Sequence, residues 1–212
     1  MKHFLAFLLL FGLISLSFAQ HFAGTIHAKL QNNGGTSELR YHLAAEKVAL
    51  EMRFQAVQGD YSLSFAYPYQ DEAHLLAKTD KSGEKSAMIL PLTSLGAKLR
   101  TPSDYRLVAQ NEKKIIAGFE CEKYQLLTND FLIEAWICPK ITPNLEKMAI
   151  LFKDEHIIQA MNAVKVQGFP LESVVKTTNG AFVQSQTVSL VVENQENNPV
   201  FELGEYKLIE NR

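Results

Sequence analysis

Alternation of apolar and polar residues with a period of two runs through most of the chain and predicts β-strands. From Phe22 to Leu30 every second residue is apolar or glycine, and a turn at Asn32–Gly35 leads into a second alternating run. One side of each such run is apolar, so we predict about eleven strands in a curved antiparallel sheet with one dry face. Further predicted strands lie at Leu39–Leu43, Val48–Phe54, Leu63–Phe65, His74–Lys78, Ala87–Leu90, Ile115–Leu127, Phe131–Cys138, Leu171–Thr178, Ala181–Glu193 and Tyr206–Ile209.

A helical pattern is confined to Thr142–Val164. Thr142 is the predicted N-cap, and Pro143 suits the first helical position. Apolar residues then recur at helical spacing on two stripes. The pattern is compatible with one continuous helix or with two, the second capped by Asp154. The predicted fold class is mainly β (α+β), a half-barrel sheet wrapped around a helical segment.

Cys121 and Cys138 are the only cysteines, and they flank a predicted two-residue hairpin turn at Asn129-Asp130. Counting outward from that turn places the two cysteines directly opposite each other at a non-hydrogen-bonded position, where side chains approach most closely. The Cα separation expected there suits a disulfide, which we predict. A redox-active or metal-binding pair is the alternative. The same register places Lys123 opposite Trp136, which favours a cation–π contact.

Residues 1–19 have the features of a cleavable signal peptide. Lys2 supplies a positive charge, an apolar run extends from Phe4 to Phe18, and small residues precede Gln20. The run is shorter than the roughly 20 residues needed to span a bilayer. We therefore expect cleavage after Ala19, a single β-rich domain over residues 20–212 with no transmembrane segment, and a periplasmic or secreted location.

Composition and motifs argue against several functions. The chain has 21 basic and 23 acidic residues, well mixed, which gives no electrostatic reason to bind nucleic acid. No nucleophile-elbow, zinc-protease or calcium-loop motif occurs, so we expect no catalysis, cofactor or metal. Asp71-Glu72-Ala73-His74 spells a helicase box without a preceding phosphate-binding loop. Ser82-Gly83-Glu84-Lys85 has a penicillin-enzyme spacing without its companion motifs, and the pair His27 and His42 is expected to be a solvated surface pair.

The central hairpin resembles a known family. Ile116 to Tyr124 reads Ile-Ala-Gly-aromatic-x-Cys-x-Lys-Tyr, and Glu134-Ala135-Trp136 forms an acidic-Ala-Trp return strand. This pattern is similar to the exported bacterial family catalogued as domain of unknown function 4412. The opening Phe22–Ile26, the segment Gly168–Leu171 and the closing Tyr206-Lys207 extend the resemblance over nearly the whole mature chain. It implies a fold like that of outer-membrane lipoprotein carriers and a Gram-negative periplasmic location, but no established activity.

The fold implied in this way favours a non-enzymatic binding or carrier module for a hydrophobic ligand, such as a lipid, an acyl chain or a lipoprotein. The ligand would occupy an apolar cleft between sheet and helix. The same side chains could equally be ordinary core. The alternatives are a structural or protein-interaction component of the cell envelope, and a hydrolase, for which no nucleophile–base pair is found. The candidate lining residues are Leu50, Met52, Phe54, Leu63, Phe65, Met148, Phe152 and Met161.

Overall fold

The computed structural model describes residues 21–56, 59–95, 105–152, 156–193 and 198–209, without the side chains of residues 55, 56, 59, 94, 95 and 156. The predicted signal peptide and Asp154 lie outside this part of the chain. Twelve strands are described: β1 Gly24–Asn32, β2 Gly35–Leu43, β3 Val48–Ala56, β4 Gly59–Tyr67, β5 His74–Lys81, β6 Glu84–Pro91, β7 Arg106–Ile116, β8 Phe119–Leu127, β9 Phe131–Cys138, β10 Phe169–Thr177, β11 Phe182–Glu193 and β12 Lys207–Leu208.

All twelve strands belong to one sheet, in the order β12-β6-β5-β4-β3-β2-β1-β11-β10-β9-β8-β7. Two meanders, β1–β6 and β7–β11, are joined where β1 pairs antiparallel with β11, Gly24 lying opposite Glu193. Only the short β12 runs parallel to its neighbour, β6. Strands β7 and β12 are the two edges, so the sheet remains open. The predicted curved half-barrel is confirmed.

The central hairpin contains one strand more than the alternation predicted. Instead of a single strand over Ile115–Leu127, the chain turns back at Ala117 and Gly118 and forms both β7 and β8. These two residues have φ values of 49° and 87°, as a tight hairpin turn requires. Ala117 is an unusual residue for the left-handed region. Because alanine is not typical of tight turns, the sequence pattern does not predict this one.

The helical segment consists of two helices, α1 at Leu145–Leu151 and α2 at His156–Val164. The predicted N-cap at Thr142 is wrong. Asn144 caps α1, because its side-chain oxygen accepts a hydrogen bond from the backbone N–H of Lys147 at 3.1 Å. The Thr142 carbonyl instead accepts a hydrogen bond from the N–H of Phe22, which ties the start of the helical segment to the first strand.

The main core lies between the two helices and the concave face of the sheet. Met148 of α1 and Met161 of α2 are both 0 % exposed. The Tyr41 ring on β2 contacts Phe152 and Phe169 edge to face, with centroids 5.5 Å and 5.1 Å away. No helix in the described ranges is long and apolar enough to cross a membrane.

A smaller core lies on the convex face of the sheet, beneath residues 198–209, which we call the C-terminal strap. Val200 and Phe201 form a short 3₁₀ turn and pack against apolar residues of the sheet. The buried Lys78 of β5 donates hydrogen bonds to the carbonyls of Pro199 and Glu202, at 3.2 Å and 2.9 Å. The strap is thus fixed by apolar packing and by one buried ammonium group. The sheet residues beneath it are Ala49, Ala66, Leu76 and Ala87.

Candidate functional site

Strands β3 to β6 leave part of the concave face uncovered, and we call this surface the cleft. Strand register aligns its floor in rows that run across the four strands. An inner row lies nearer the helices, and an outer row lies nearer the hairpin turns. The inner row is Leu50, Phe65, Ala77 and Met88, and the outer row is Met52, Leu63, Thr79 and Ser86.

Exposure increases along the cleft, away from the helices. At the helix end Val48 and Leu75 are 0 % exposed and Tyr67 is 2 % exposed. Every residue of the two rows except Ala77 is partly exposed. Helix α1 packs against β3 and β4, so it covers one end of these strands and leaves the other accessible.

Five of the eight predicted lining residues lie in or next to the cleft. These five side chains belong to β3 and β4 and are all partly exposed: Leu50, Met52, Phe54, Leu63 and Phe65. The three from the helical segment are buried in the main core, namely Met148, Phe152 and Met161. The structure therefore brings the sheet residues together on an accessible surface and places the helical ones behind it.

Strands β5 and β6 contribute to the cleft residues that the sequence pattern did not predict. Thr79 and Ser86 are direct partners in the outer row, and Met88 lies opposite Ala77 in the inner row. These positions are hard to recognise because β5 has the run Leu75, Leu76 and Ala77, which conceals its alternation. The predicted strand ended at Lys78, whereas β5 continues to Lys81 and so brings Thr79 into the cleft.

Helix α1 is held over the sheet by a small charged cluster. The Lys147 ammonium lies 2.8 Å from a carboxylate oxygen of Glu72 and 3.3 Å from one of Glu46. Tyr67 donates a hydrogen bond to Glu72 at 2.9 Å. Hydrogen bonds from Lys147 and Tyr67 lower the pKa of Glu72, whereas burial and the neighbouring carboxylate raise that of Tyr67 to about 12. The two loops on either side of the β3–β4 hairpin thereby anchor α1.

A polar cluster lies on the opposite, convex face of the same strands. Burial alone would raise the pKa of Glu51, but hydrogen bonds with His42 and Arg53 and the charges of Arg53 and Arg40 lower it to about 2. His42 Nδ1 accepts a hydrogen bond from Asn198 Nδ2 of the strap at 2.9 Å. No group of three His, Cys, Asp or Glu residues in the described ranges is arranged to hold a metal.

The cysteine hairpin has the predicted register. Lys123 pairs with Trp136, and its ammonium lies 5.7 Å from the indole centroid, which confirms the cation–π contact. Strands β8 and β9 pair as far as Glu122 and Ile137, and Cys121 and Cys138 occupy the next positions on the two strands. Both cysteines are present as free thiols and are 0 % exposed. Burial, and then the adjacent Cys138 thiol, raises the pKa of Cys121 to about 12.

The fold and the cleft define a mainly β half-barrel whose concave face is partly covered by two helices. The chain belongs to the family described as Domain of unknown function (DUF4412), whose sequence profile matches residues 22–203. The resemblance of the central hairpin to that family is therefore confirmed.

No curated protein matches the chain. Solved structures with similar folds include MucB, with a TM-score of 0.47 and 10 % identity over 88 % of this chain and 58 % of MucB. PNGF-II matches with a TM-score of 0.43 and 12 % identity, over 88 % of this chain and 30 % of PNGF-II. A putative outer membrane lipoprotein-sorting protein domain from Vibrio parahaemolyticus matches with a TM-score of 0.24 and 10 % identity, over 84 % of this chain and 87 % of that domain. The chain thus spans about a third of PNGF-II and little more than half of MucB.

Proposed function

We propose that this protein is a non-enzymatic binding or carrier module that holds a hydrophobic ligand in the cleft over β3–β6. The ligand is a lipid, an acyl chain or the anchor of a lipoprotein. The observation that carries the proposal is the contiguous, partly exposed surface formed by Leu50, Met52, Leu63, Phe65 and Met88. Contiguous apolar surface of this kind on a soluble protein marks an interaction site or a ligand groove.

The size of the cleft suits one or two hydrocarbon chains. Neighbouring strands lie about 4.8 Å apart, so β3 to β6 give a floor about 14 Å wide between the outer strands. Each methylene group transferred from water to the floor contributes about 0.8 kcal/mol. Ten methylenes would contribute about 8 kcal/mol, which must exceed the cost of immobilising the ligand. A chain of fatty-acid length is therefore sufficient for useful affinity.

The proposed compartment is the periplasm. The predicted signal peptide at residues 1–19 supports this assignment. An apolar ligand needs a soluble carrier in an aqueous compartment, so compartment and cleft are mutually consistent. Intact-mass measurement on envelope fractions should give a mature chain that begins at Gln20. A chain that retains its first 19 residues would contradict the periplasmic assignment.

Ligand binding can be tested with two neighbouring residues on opposite faces of β4. Leu63 lies in the outer row of the cleft, whereas Ser62 points to the convex face opposite Arg53 and Asp80. Leu63→Asp should abolish binding of a fluorescent acyl probe that lipid displaces from the wild-type protein. Ser62→Asp adds the same charge to the same strand, and should bind the probe normally. Equal loss in both variants, or no binding by the wild-type protein, would refute the proposal.

Native mass spectrometry of protein purified from its own periplasm identifies the ligand class directly. A co-purified lipid supports the carrier function. A stoichiometric protein partner without lipid would instead identify an interaction component of the cell envelope, and would overturn the proposed ligand.

We further propose that Cys121 and Cys138 form a disulfide in the mature protein. The support is the hairpin register, which brings the two thiols next to each other on β8 and β9, and the oxidising character of the proposed compartment. The bond would join two strands of the second meander, away from the cleft. Its role would therefore be structural.

A further inference from the structure

The floor of the cleft changes chemically along its length. At the helix end and in the inner row the described side chains are apolar apart from the Tyr67 hydroxyl, which donates a hydrogen bond to Glu72. In the outer row Thr79 and Ser86 face each other across β5 and β6. Tyr61 follows on β4, opposite Phe54, with the two ring centroids 6.0 Å apart. Hydroxyl groups are thus concentrated at the end of the cleft away from the helices.

Charged side chains are absent from both rows in the described part of the cleft. Apart from Lys81 and Glu84, the charged residues of the same strands point to the convex face, where Lys78 donates a hydrogen bond to the strap and Arg53 donates one to Glu51. Beyond the outer row, Lys81 lies opposite both Tyr61 and Glu84, so this rim offers one charge of each sign. Lys81 and Glu84 are direct cross-strand partners, so their opposite charges offset each other at the rim. A charged head group drawn onto the floor inward of this rim would lose water without gaining a net counter-charge, which is unfavourable.

Hydroxyl side chains both donate and accept hydrogen bonds. They are suited to esters and alcohols, which need a small number of neutral hydrogen bonds. We propose that the cleft selects an acyl amphiphile whose polar end is uncharged and carries hydroxyl or ester groups. The acyl chain lies over the inner row, on the side nearer α1, and the polar end lies over the outer row at Thr79 and Ser86. This inference rests on the proposed function, because it names the ligand class of the same cleft.

Three amphiphiles with the same twelve-carbon chain and different head groups test the selection: monolaurin, laurate and dodecyl phosphate. Each competes with the fluorescent acyl probe at pH 8, below the concentration at which it aggregates. We expect monolaurin to displace the probe at a concentration at least tenfold lower than either anion. Equal or better displacement by laurate or dodecyl phosphate would overturn the inference while leaving the acyl-binding function intact. Failure of all three to displace the probe, or failure of the probe to bind, would overturn the proposed function together with the inference.

A double variant locates the polar end. Thr79→Val combined with Ser86→Ala removes two hydroxyls with little change of shape, and should weaken monolaurin binding about fivefold to twentyfold. The two anions should change by less than twofold. Thr187→Val is the matched control, since Thr187 is exposed on β11 and pairs with Lys29 outside the cleft. Unchanged monolaurin affinity in the double variant, or an equal loss for all three amphiphiles, would show that the hydroxyls do not bind the head group.

Discussion

Removal of the cysteine pair gives the sharpest test of the hairpin register. Cys121→Ala and Cys138→Ala each leave the partner without a bond. If the disulfide forms, the two single variants and the double variant should all lose the same cross-link, so their losses should be nearly equal. If the thiols are free, each variant removes a separate buried sulfur, so the double variant should be clearly less stable than either single variant, even though neighbouring residues do not add exactly.

The magnitude follows from the loop that the bond would close. A loop of about 17 residues corresponds to roughly 3 kcal/mol on the chain-entropy model. Loss of a buried sulfur adds a smaller cavity cost, since both cysteines are 0 % exposed. In a domain of this size 1 kcal/mol shifts Tm by about 2–4 °C, so each variant should melt about 6–12 °C below the wild type.

Thermal unfolding with and without reductant is the primary assay, and reductant should lower the Tm of the wild type only. Thiol titration must be carried out in denaturant without reductant, because the buried positions of Cys121 and Cys138 would hide even free thiols from a reagent. Wild-type periplasmic protein should give no reactive thiol under these conditions. Two reactive thiols, or a double variant clearly less stable than either single variant, would refute the disulfide.

Three further predictions concern other parts of the fold. Glu51→Gln should lower the free energy of unfolding at pH 7 by at most about 3 kcal/mol, because the folded-state pKa of Glu51 is depressed to about 2. The difference from wild type should disappear as the pH falls from 4.5 towards 2, and thermal melts across this range measure the change. Lys78→Met should loosen the C-terminal strap, seen as faster hydrogen exchange in residues 198–209, and unchanged exchange there would contradict the anchoring role. Gly168→Ala should lower the free energy of unfolding, measured by denaturant titration, by more than about 2 kcal/mol, because φ is +124° and an added Cβ would lie 2.6 Å from the Cys138 carbonyl oxygen. The control Gly180→Ala should lower it clearly less, because an added Cβ at that position, where φ is +87°, meets nothing within 4 Å.

The sheet was largely predictable because its strands alternate over a buried concave face. The turns at residues 33–34, 129–130 and 179–180 all have residues that favour tight hairpins, and all three hairpins are present. The cross-strand partners of a hairpin can be predicted by counting residues outward from such a turn. The observed pairing of Lys123 with Trp136 shows that this prediction holds five residues beyond Thr128, which directly precedes the turn at residues 129–130.

Strand β7 escaped prediction for two physical reasons. Its register shifts between Ala109 and Lys113, and Asn111 there has a φ of 55°, so the two-residue period is interrupted in mid-strand. Among the described strands it is also an edge, paired only with β8, and its exposed half is charged. Charged and irregular edge strands resist edge-to-edge association, but they lack the pattern on which sequence rules depend.

The candidate site was only half predictable, because alternation identifies the apolar side of an element without saying what covers it. Phe152 and Met52 both lie on apolar stripes. Phe152 is 5 % exposed and packs against Tyr41, whereas Met52 remains partly exposed on the concave side of β3. That difference depends on which side chains the rest of the chain packs against, which is a property of tertiary packing.

Strands β3 to β6 carry apolar side chains on both faces, beside the charged cluster on the convex face, and the chain covers the two faces differently. On the convex face Ala49, Ala66 and Leu76 are at most 1 % exposed, and the C-terminal strap packs on them with Val200 and Phe201. On the concave face the inner and outer rows receive no comparable segment in the described part of the chain. Burial of apolar side chains contributes a free energy of about 25 cal/mol per Å², which is absent while they are exposed to water. A surface left accessible in the described part of the chain would gain this free energy when the proposed ligand covers it. For this physical reason the proposed ligand is placed on the concave side, over Met52 and Leu63.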